Sequence, residues 1–142
     1  MSADGFLAGA DAALADAVLD ALRADPDVQA ILGNPARVFD DETDEPAFPF
    51  AVLERHEQFS ADAALVCGSE HRLSFATYSK YGGRSEAKAV LGALRAAVDR
   101  FNLVLSGQRM VIAHVIYSDA LRARDRQSFR GVLRVRIVTE EA

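Results

Sequence analysis

The sequence contains few of the residues from which proteins build disulfide or metal-bound frameworks. Its 142 residues include one cysteine, Cys67, and three histidines, His56, His71 and His114. A single cysteine excludes an intramolecular disulfide framework and a zinc site made of several thiolates. The histidines lie far apart and form no H-E-x-x-H pair, so they do not predict a zinc protease site. We therefore expect no cofactor.

Segments for export or membrane insertion are also missing. No apolar run approaches the roughly 18 residues that a membrane span requires. The N-terminal stretch carries Asp4, Asp11 and Asp16 and no early Lys or Arg, which is unlike a secretory signal or a transit peptide. Patterns for a P-loop and for a G-x-S-x-G nucleophile are absent as well. We expect a soluble protein that is made in the cytoplasm and has no membrane contact.

Hydrophobic residues and charges are abundant, but the charges are unevenly distributed. Half of the residues are hydrophobic, and the length suits one domain over residues 1–142. Residues 1–62 contain 14 acidic side chains and three arginines, whereas residues 63–142 contain 13 basic and seven acidic side chains. Opposite charges in the two halves favour a molecule that attracts copies of itself.

Hydrophobic periodicity predicts the order helix, strand, strand, helix, strand, strand. The two helices are predicted in "FLAGADAALADAVLDALRADP" and "YGGRSEAKAVLGALRAAVDRF", with a short helical turn in "DVQAILGNP" between the first helix and the first strand. The strands are predicted in "FAVLERHEQF", "HRLSFATYS", "RMVIAHVIYSD" and "QSFRGVLRVRIVTE". The fold class is therefore α+β, with an antiparallel four-stranded sheet and two main helices packed on one of its faces.

The alternation within the strands also predicts which side chains face the core. In the last strand, Leu133, Val135 and Ile137 are expected to face inward while Arg134 and Arg136 face outward. Strict alternation in the first strand places four side chains on one face: Phe50, Val52, Glu54 and His56. The small-residue segment "SADAALVCGSE" is predicted to connect the first two strands.

The most acidic segment is the run from Asp40 to Glu45. Its five acidic residues are Asp40, Asp41, Glu42, Asp44 and Glu45. A calcium-binding EF-hand loop requires Gly at its sixth position and a bidentate Glu at its twelfth. Starting at Asp40 or at Asp41, neither requirement is met. This loop is predicted to face solvent or a partner, and a metal-dependent enzyme centred on it is kept as an alternative.

A second charged cluster is basic and lies near the C-terminus. It comprises six arginines: Arg122, Arg124, Arg126, Arg130, Arg134 and Arg136. Guanidinium groups fit phosphate oxygens, so a nucleic-acid module is one interpretation. A second is the polar face of an antiparallel sheet, and a third is ion pairing with acidic residues of a neighbouring subunit. The overall acidic charge weakens the nucleic-acid interpretation.

The order of these segments resembles a known family. The resemblance spans about residues 12–138 and rests on four segments: "ALRADPDVQAILGNPARVFDD", "FPFAVLERHE", "GRSEAKAVLGALRAAVD" and "YSDALRARDRQSFRGVLRVRI". They resemble the tail-completion or tail-terminator proteins of long-tailed bacteriophages and of related particles such as gene transfer agents. These motifs are patterns rather than catalytic signatures. The acidic run and the connector that contains Cys67 do not match the family pattern.

The resemblance implies a structural virion protein without catalytic activity. It implies a ring, typically of six copies, at the head-proximal end of the tail tube, where the ring stops polymerisation of the tube and joins it to the head connector. The implied partners are further copies of the chain, the tail tube protein and the head–tail connector, and DNA would pass through the ring without being read. In such a ring, the acidic run would face either a neighbour's arginines or the path of the DNA.

Overall fold

Residues that interrupt or cap helices separate the first helix from the second and end the second. The computed structural model describes residues 3–41, 44–60, 68–80 and 83–141, with side chains from residue 12 onward. Helix α1 spans Ala3–Ala24 and helix α2 spans Pro26–Leu32. Asp25 caps α2, because its Oδ1 accepts hydrogen bonds from the N–H groups of Asp27 (2.9 Å) and Val28 (3.3 Å). Gly33 ends α2 with a φ of 90°.

A five-stranded sheet and a third helix form the rest of the chain. The strands are β1 (Val38–Phe39), β2 (Phe50–Ser60), β3 (Gly68–Ser79), β4 (Gln108–Arg122) and β5 (Phe129–Glu141), and helix α3 (Gly83–Asp99) follows β3. The strand order in the sheet is β1-β2-β3-β5-β4. β1 pairs in parallel with β2, and the other pairs are antiparallel.

The predicted α+β class is confirmed, but the predicted four-stranded, purely antiparallel sheet and its element order are wrong. The difference is β1, which adds a fifth strand through the pairs Val38 with Ala51 and Phe39 with Val52. Two residues are too short to show any hydrophobic period, and their partners lie across an intervening loop. The short turn predicted after the first helix is α2, a separate helix.

Helix α3 packs on the sheet through its apolar stripe. The buried side chains of α3 are Ala87, Val90, Leu91, Leu94, Ala97 and Val98. All of them except Ala87 share one core with Leu73 and Phe75 of β3 and Leu133 of β5. Gly131 of β5 faces Leu91, and a Cβ atom at this glycine would lie 3.1 Å from Leu91 Cδ2. The helix therefore lies closer to the sheet than a larger residue at this position would permit.

The joint between α1 and α2 is tied to the end of α3. Arg100 Nη2 donates to Asp25 Oδ2 (2.8 Å) and to Asp27 Oδ2 (3.0 Å). Burial raises the pKa of Asp25, but the hydrogen bond from Arg100 and those from the α2 N–H groups outweigh it, and the pKa is lowered. The side chain of Asp25 is 9% exposed, whereas that of Asp27 is 62% exposed. None of the helices in the described ranges is both long and apolar enough to cross a membrane.

A β-bulge in β2 changes the side-chain faces that strict alternation predicts. Leu53 pairs with Phe75, but the next pair is Arg55 with Ser74, so Glu54 has no register partner. Every residue after the bulge is displaced to the opposite face. His56 therefore lies on the core side of the sheet, and its predicted placement on the face of Glu54 is wrong. The predicted burial of Leu133, Val135 and Ile137 is confirmed.

Candidate interaction surface

The face of the sheet opposite α3 is open in the described part of the chain. Along β5, the residues that face α3 are buried, while the alternating ones are half-buried or exposed. The outward residues include Arg130, Arg134 and Arg136, as the alternation predicts. Because β5 is flanked by β3 and β4, these arginines lie on an inner strand of the open face, next to the edge strand.

Two of the three predicted arginines on the open face have carboxylate partners within the same chain. Arg130 Nη2 donates to Glu54 Oε2 (2.8 Å), so the bulge residue of β2 reaches across β3. Hydrogen bonding with Tyr78 and with Glu54 raises the pKa of Arg130. Arg136 Nε donates to Glu70 Oε1 (2.8 Å). That bond, with a second one from Arg72, lowers the pKa of Glu70.

The third arginine of this face packs on an aromatic ring. The guanidinium carbon of Arg134 lies 5.0 Å from the ring centroid of Tyr117, its register partner on β4. This is the distance at which a cation and an aromatic face attract each other. Glu54 and Glu70 therefore neutralise part of the positive charge on the open face, while Arg134 keeps its full charge on the ring of Tyr117.

The remaining three predicted arginines lie at the turn between β4 and β5. We call residues 122–126, with Arg122, Arg124 and Arg126, the basic tip. All three arginine side chains are exposed, and none has an ion pair with a described carboxylate. Arg122 lies over the ring of Phe129 at 4.9 Å and donates to the carbonyl oxygen of Arg126 at 3.1 Å. The basic tip therefore presents fixed positive charge to solvent.

The single carboxylate within the basic tip is engaged in the turn itself. Asp125 Oδ1 accepts hydrogen bonds from the N–H groups of Gln127 (2.9 Å) and Ser128 (3.0 Å), and the Ser128 hydroxyl donates to the same carboxylate. These backbone and hydroxyl bonds, with a smaller contribution from Lys80, lower the pKa of Asp125. The carboxylate holds the turn in shape and leaves the arginines on the outside.

The β4 edge is the outer border of the sheet, and it is unusually apolar. β4 has 15 residues and lies last in the strand order. Its exposed large hydrophobic residues are Val111, Ile112, Ile116, Tyr117 and Leu121, each at least 40% exposed. Long apolar edge strands present unpaired backbone groups and attract other chains, so soluble proteins normally protect them with charges, prolines or short length.

Two of these apolar residues occupy irregular positions in the strand. The pairing of β4 with β5 shifts between Met110 and Ile112 and again between Val115 and Tyr117. Val111 and Ile116 are the residues left out of register. In the sequence "MVIAHVIY", both positions belong to adjacent apolar pairs, Val111–Ile112 and Val115–Ile116, which interrupt the alternation of a strand. This signal would have located the exposed edge, which we did not predict.

The acidic loop, residues 40–45, lies at the start of β2. Asp40, Asp41, Asp44 and Glu45 are exposed, and Glu42 lies outside the described residues. Aromatic rings follow the loop and hold the chain on the sheet. Centroids of Phe48 and Phe50 are 5.3 Å apart, those of Phe50 and Tyr78 are 5.1 Å apart, and Lys80 Nζ lies 5.6 Å from the Phe48 ring.

A cleft of about 650 Å³ lies beside the acidic loop. Its walls include the carboxylate-bearing Asp41 and Glu54 and the rings of Phe50 and Tyr78. The Glu54 carboxylate is already bonded to Arg130, so the aromatic faces are the part of this cleft on which a partner's arginine can pack.

Two of the three histidines, His56 and His71, form a pair. His56 Nε2 lies 2.8 Å from His71 Nδ1, and His71 is fully buried. Burial, with a smaller contribution from the charge of His56, lowers the pKa of His71 to about 4. Within the described ranges, no three His, Cys, Asp or Glu side chains are close enough to hold a metal ion. Cys67 lies outside those ranges.

Comparison with known proteins identifies the family. The model of the tail completion protein gp17 family matches residues 16–140. A chain in the structure of the virion of a native gene transfer agent particle is 26% identical, with a TM-score of 0.80 over 92% of this chain and 97% of that one. The bacteriophage SPP1 gp17 protein shares the fold at 16% identity, with a TM-score of 0.63 over 90% of this chain and 89% of that one. No curated protein matches the chain.

These matches decide between the classes of protein that the two charged clusters left open. The family match covers both the acidic loop and the basic tip. The arginines are divided between a paired sheet face and an exposed turn. The chain belongs to the gp17 family of tail completion proteins and is a structural protein of a phage or phage-like virion, not an enzyme.

Proposed function

We propose that the protein forms a closed ring of identical copies, typically six, at the head-proximal end of the tail tube. The ring stops tube polymerisation and offers a docking surface to the head connector, and DNA passes through it without specific binding. The observation that carries this proposal is the β4 edge. A 15-residue strand with five exposed large hydrophobic side chains is suited to burial against another protein.

The two borders of the sheet differ, which favours a ring over a symmetric dimer. One border is the long, apolar β4, and the other begins with the two-residue β1 and the acidic loop beside it. A contact between two different patches is heterologous, and it produces a ring when the rotation between copies closes. A two-fold dimer would instead pair each patch with itself.

The open sheet face supports the part of the proposal that concerns DNA. Strong phosphate binding would slow DNA that must slide through a channel, because each basic contact adds affinity. Arg130 and Arg136 are already paired with Glu54 and Glu70 in the same chain. These two ion pairs lower the net positive charge of the face, so it should bind phosphate less tightly than its number of arginines suggests.

The ring proposal is tested by adding purified protein to tail tubes and counting capped ends in negative-stain images. The native chain is expected to cap the tubes, and a variant with Ile112→Lys and Ile116→Lys on the β4 edge is expected not to do so. Val104→Lys is the matched control, because Val104 is 91% exposed but lies outside β4. Circular dichroism establishes that each variant is folded.

The two possible failures of this test have different meanings. If the native chain does not bind tube ends, the proposed function is wrong. If the β4 variant caps tubes as well as the native chain does, the ring remains but the β4 edge is not its contact surface.

A further inference from the structure

We propose that neighbouring copies in the ring meet through opposite charges, with the basic tip of one copy against the acidic loop of the next. This inference rests on the proposed ring and specifies its contact. The tip supplies Arg122, Arg124 and Arg126. The acceptor is formed by Asp40, Asp44 and Glu45, the exposed carboxylates of the acidic loop, beside the aromatic cleft.

Both charged segments lie at the same end of the sheet. One row of register partners crosses the sheet there: Phe50 of β2 is opposite Tyr78 of β3, and the following residue, Ser79, is opposite Phe129 of β5. Phe129 is in turn opposite Arg122 of β4. The acidic loop precedes Phe50, and the basic tip connects Arg122 to Phe129. The loop leaves β1 beside Val52 and joins β2 at Phe50, so both of its ends lie within the first residues of β2, at the end of the sheet that carries the basic tip.

The segments lie on opposite sides of that end, so they cannot neutralise each other within one copy. β3 and β5 separate β2 from β4, and neighbouring strands are about 4.8 Å apart, which places β2 and β4 about 14 Å from each other. An ion pair requires a nitrogen–oxygen distance near 4 Å. Copies placed side by side in the same orientation would bring the tip of one beside the loop of the next.

The acceptor side offers more than a set of exposed carboxylates. The cleft beside the loop has Asp41 and Glu54 on its walls together with the rings of Phe50 and Tyr78. Glu54 is bonded to Arg130 of its own chain, so the cleft contributes the faces of its rings, on which a neighbour's guanidinium can pack beside the loop carboxylates. The three exposed basic residues of the tip are all arginines.

The donor side is continuous with the apolar border of the sheet. Arg122 is the last residue of β4, and Leu121, 40% exposed, precedes it. One surface thus carries apolar side chains along the strand and positive charge at its end. The apolar part supplies burial, and the charged part sets which border of the neighbour it meets and in which direction.

Cross-linking between two populations of the chain tests this geometry directly. Both populations carry Cys67→Ser; one also carries Arg124→Cys and the other Asp44→Cys. After mixing on tail tubes and treatment with a short bis-maleimide, cross-linked dimers that contain one copy of each population are expected to dominate. Because each chain carries a single cysteine, such a dimer can only join two different chains. Dimers that join two Arg124→Cys chains in equal yield would show a two-fold contact and overturn the proposal.

Charge reversal tests the energetics. The tip variant is Arg124→Glu with Arg126→Glu, and the loop variant is Asp40→Lys with Asp44→Lys. Each variant alone is expected to lose up to about tenfold in association affinity. Exposed ion pairs contribute about 0.2–1 kcal/mol each, and a factor of ten corresponds to 1.4 kcal/mol. An equimolar mixture is expected to recover association, since alternating copies place opposite charges at every contact. An alternating ring requires an even number of copies.

A matched control reverses two charges elsewhere on the chain. Asp16→Lys with Asp20→Lys changes the net charge on α1 by the same amount as the loop variant does, and it is expected to leave association unchanged. If the tip and loop variants assemble on tubes as the native chain does, the proposed contact between tip and loop is refuted, whereas the proposed ring is not. If the native chain itself neither assembles nor caps tubes, the proposed function fails and the contact falls with it.

Discussion

Gly131 offers the sharpest test of how α3 and the sheet fit together. It lies on β5 opposite Thr77, under Leu91 of α3. A Cβ atom added here would overlap Thr77 Oγ1 and would lie 3.1 and 3.2 Å from two carbon atoms of Leu91. Thr77 is 2% exposed and Leu91 is 8% exposed, so neither side chain has free space to enter. We expect Gly131→Ala to destabilise the protein.

The magnitude follows from two opposing contributions. Overpacking of a close-fitting core costs about 1–3 kcal/mol. Replacing glycine in a strand with alanine recovers about 0.5–1 kcal/mol of backbone entropy. The net expectation is a loss of about 1–2 kcal/mol in the free energy of unfolding, or a fall in Tm of roughly 3–8 °C for a chain of this length. In a Thr77→Ala background the loss should be smaller, because the overlapping hydroxyl is gone.

Urea denaturation followed by circular dichroism measures both variants and their control. Gly92 lies on the exposed side of α3, and a Cβ atom there meets nothing within 4 Å. Gly92→Ala should therefore stabilise the protein by about 0.5–1 kcal/mol. Opposite signs at the two glycines are the expected result. Equal or increased stability of Gly131→Ala would show that the sheet and α3 are not packed as closely as described.

Two further predictions concern buried and capping groups. Because the pKa of His71 falls from 6.5 to about 4 on folding, the unfolded chain binds the extra proton first, and stability should decline by up to about 3 kcal/mol as the pH drops from 6.5 towards 4. His71→Gln should flatten this decline in denaturation curves across pH, whereas His114→Gln should retain it; an unchanged slope in His71→Gln would contradict the assignment. Asp25→Ala should cost about 1–2 kcal/mol, because it removes a helix cap and an ion pair together. Asp27→Ala, which loses only an exposed ion pair, should stay within about 0.5 kcal/mol, and thermal melts that rank these two variants the other way would refute the capping role.

The sequence alone predicted the elements whose signals are local. α3 and β5 show clear hydrophobic periods, and the buried residues Leu94, Leu133 and Ile137 follow from them. The end of α1 follows from Asp25 and Pro26. Each of these depends on neighbours within a few positions, which is the range over which a period or a cap can be recognised.

Features that depend on distant residues were not predictable in the same way. β1 exists because Val38 pairs with Ala51, and no pattern within two residues signals that. The bulge at Glu54 shifted the register of β2 and brought His56 to His71, 15 residues away in sequence. Register depends on the partner strand as well as on the strand itself.

The predicted interaction residues were found at several places on the surface. The six arginines divide between the open sheet face and the basic tip, because the turn at Asp125 separates Arg122–Arg126 from the strand that follows. Sequence order gave the composition of these clusters but not their position at one end of the sheet. Only the strand order, with β5 between β3 and β4, places them relative to the acidic loop.

In the proposed ring, the difference between the two borders of the sheet makes a closed assembly more stable than an open row of copies. An open row of copies joined head to tail always leaves one β4 edge and one acidic loop unused, whatever its length. The last contact of a closed ring joins two ends that are already held together, so it requires no further loss of translational freedom. Individually weak contacts then suffice for a stable ring, while incomplete rows dissociate readily and misplaced copies are released.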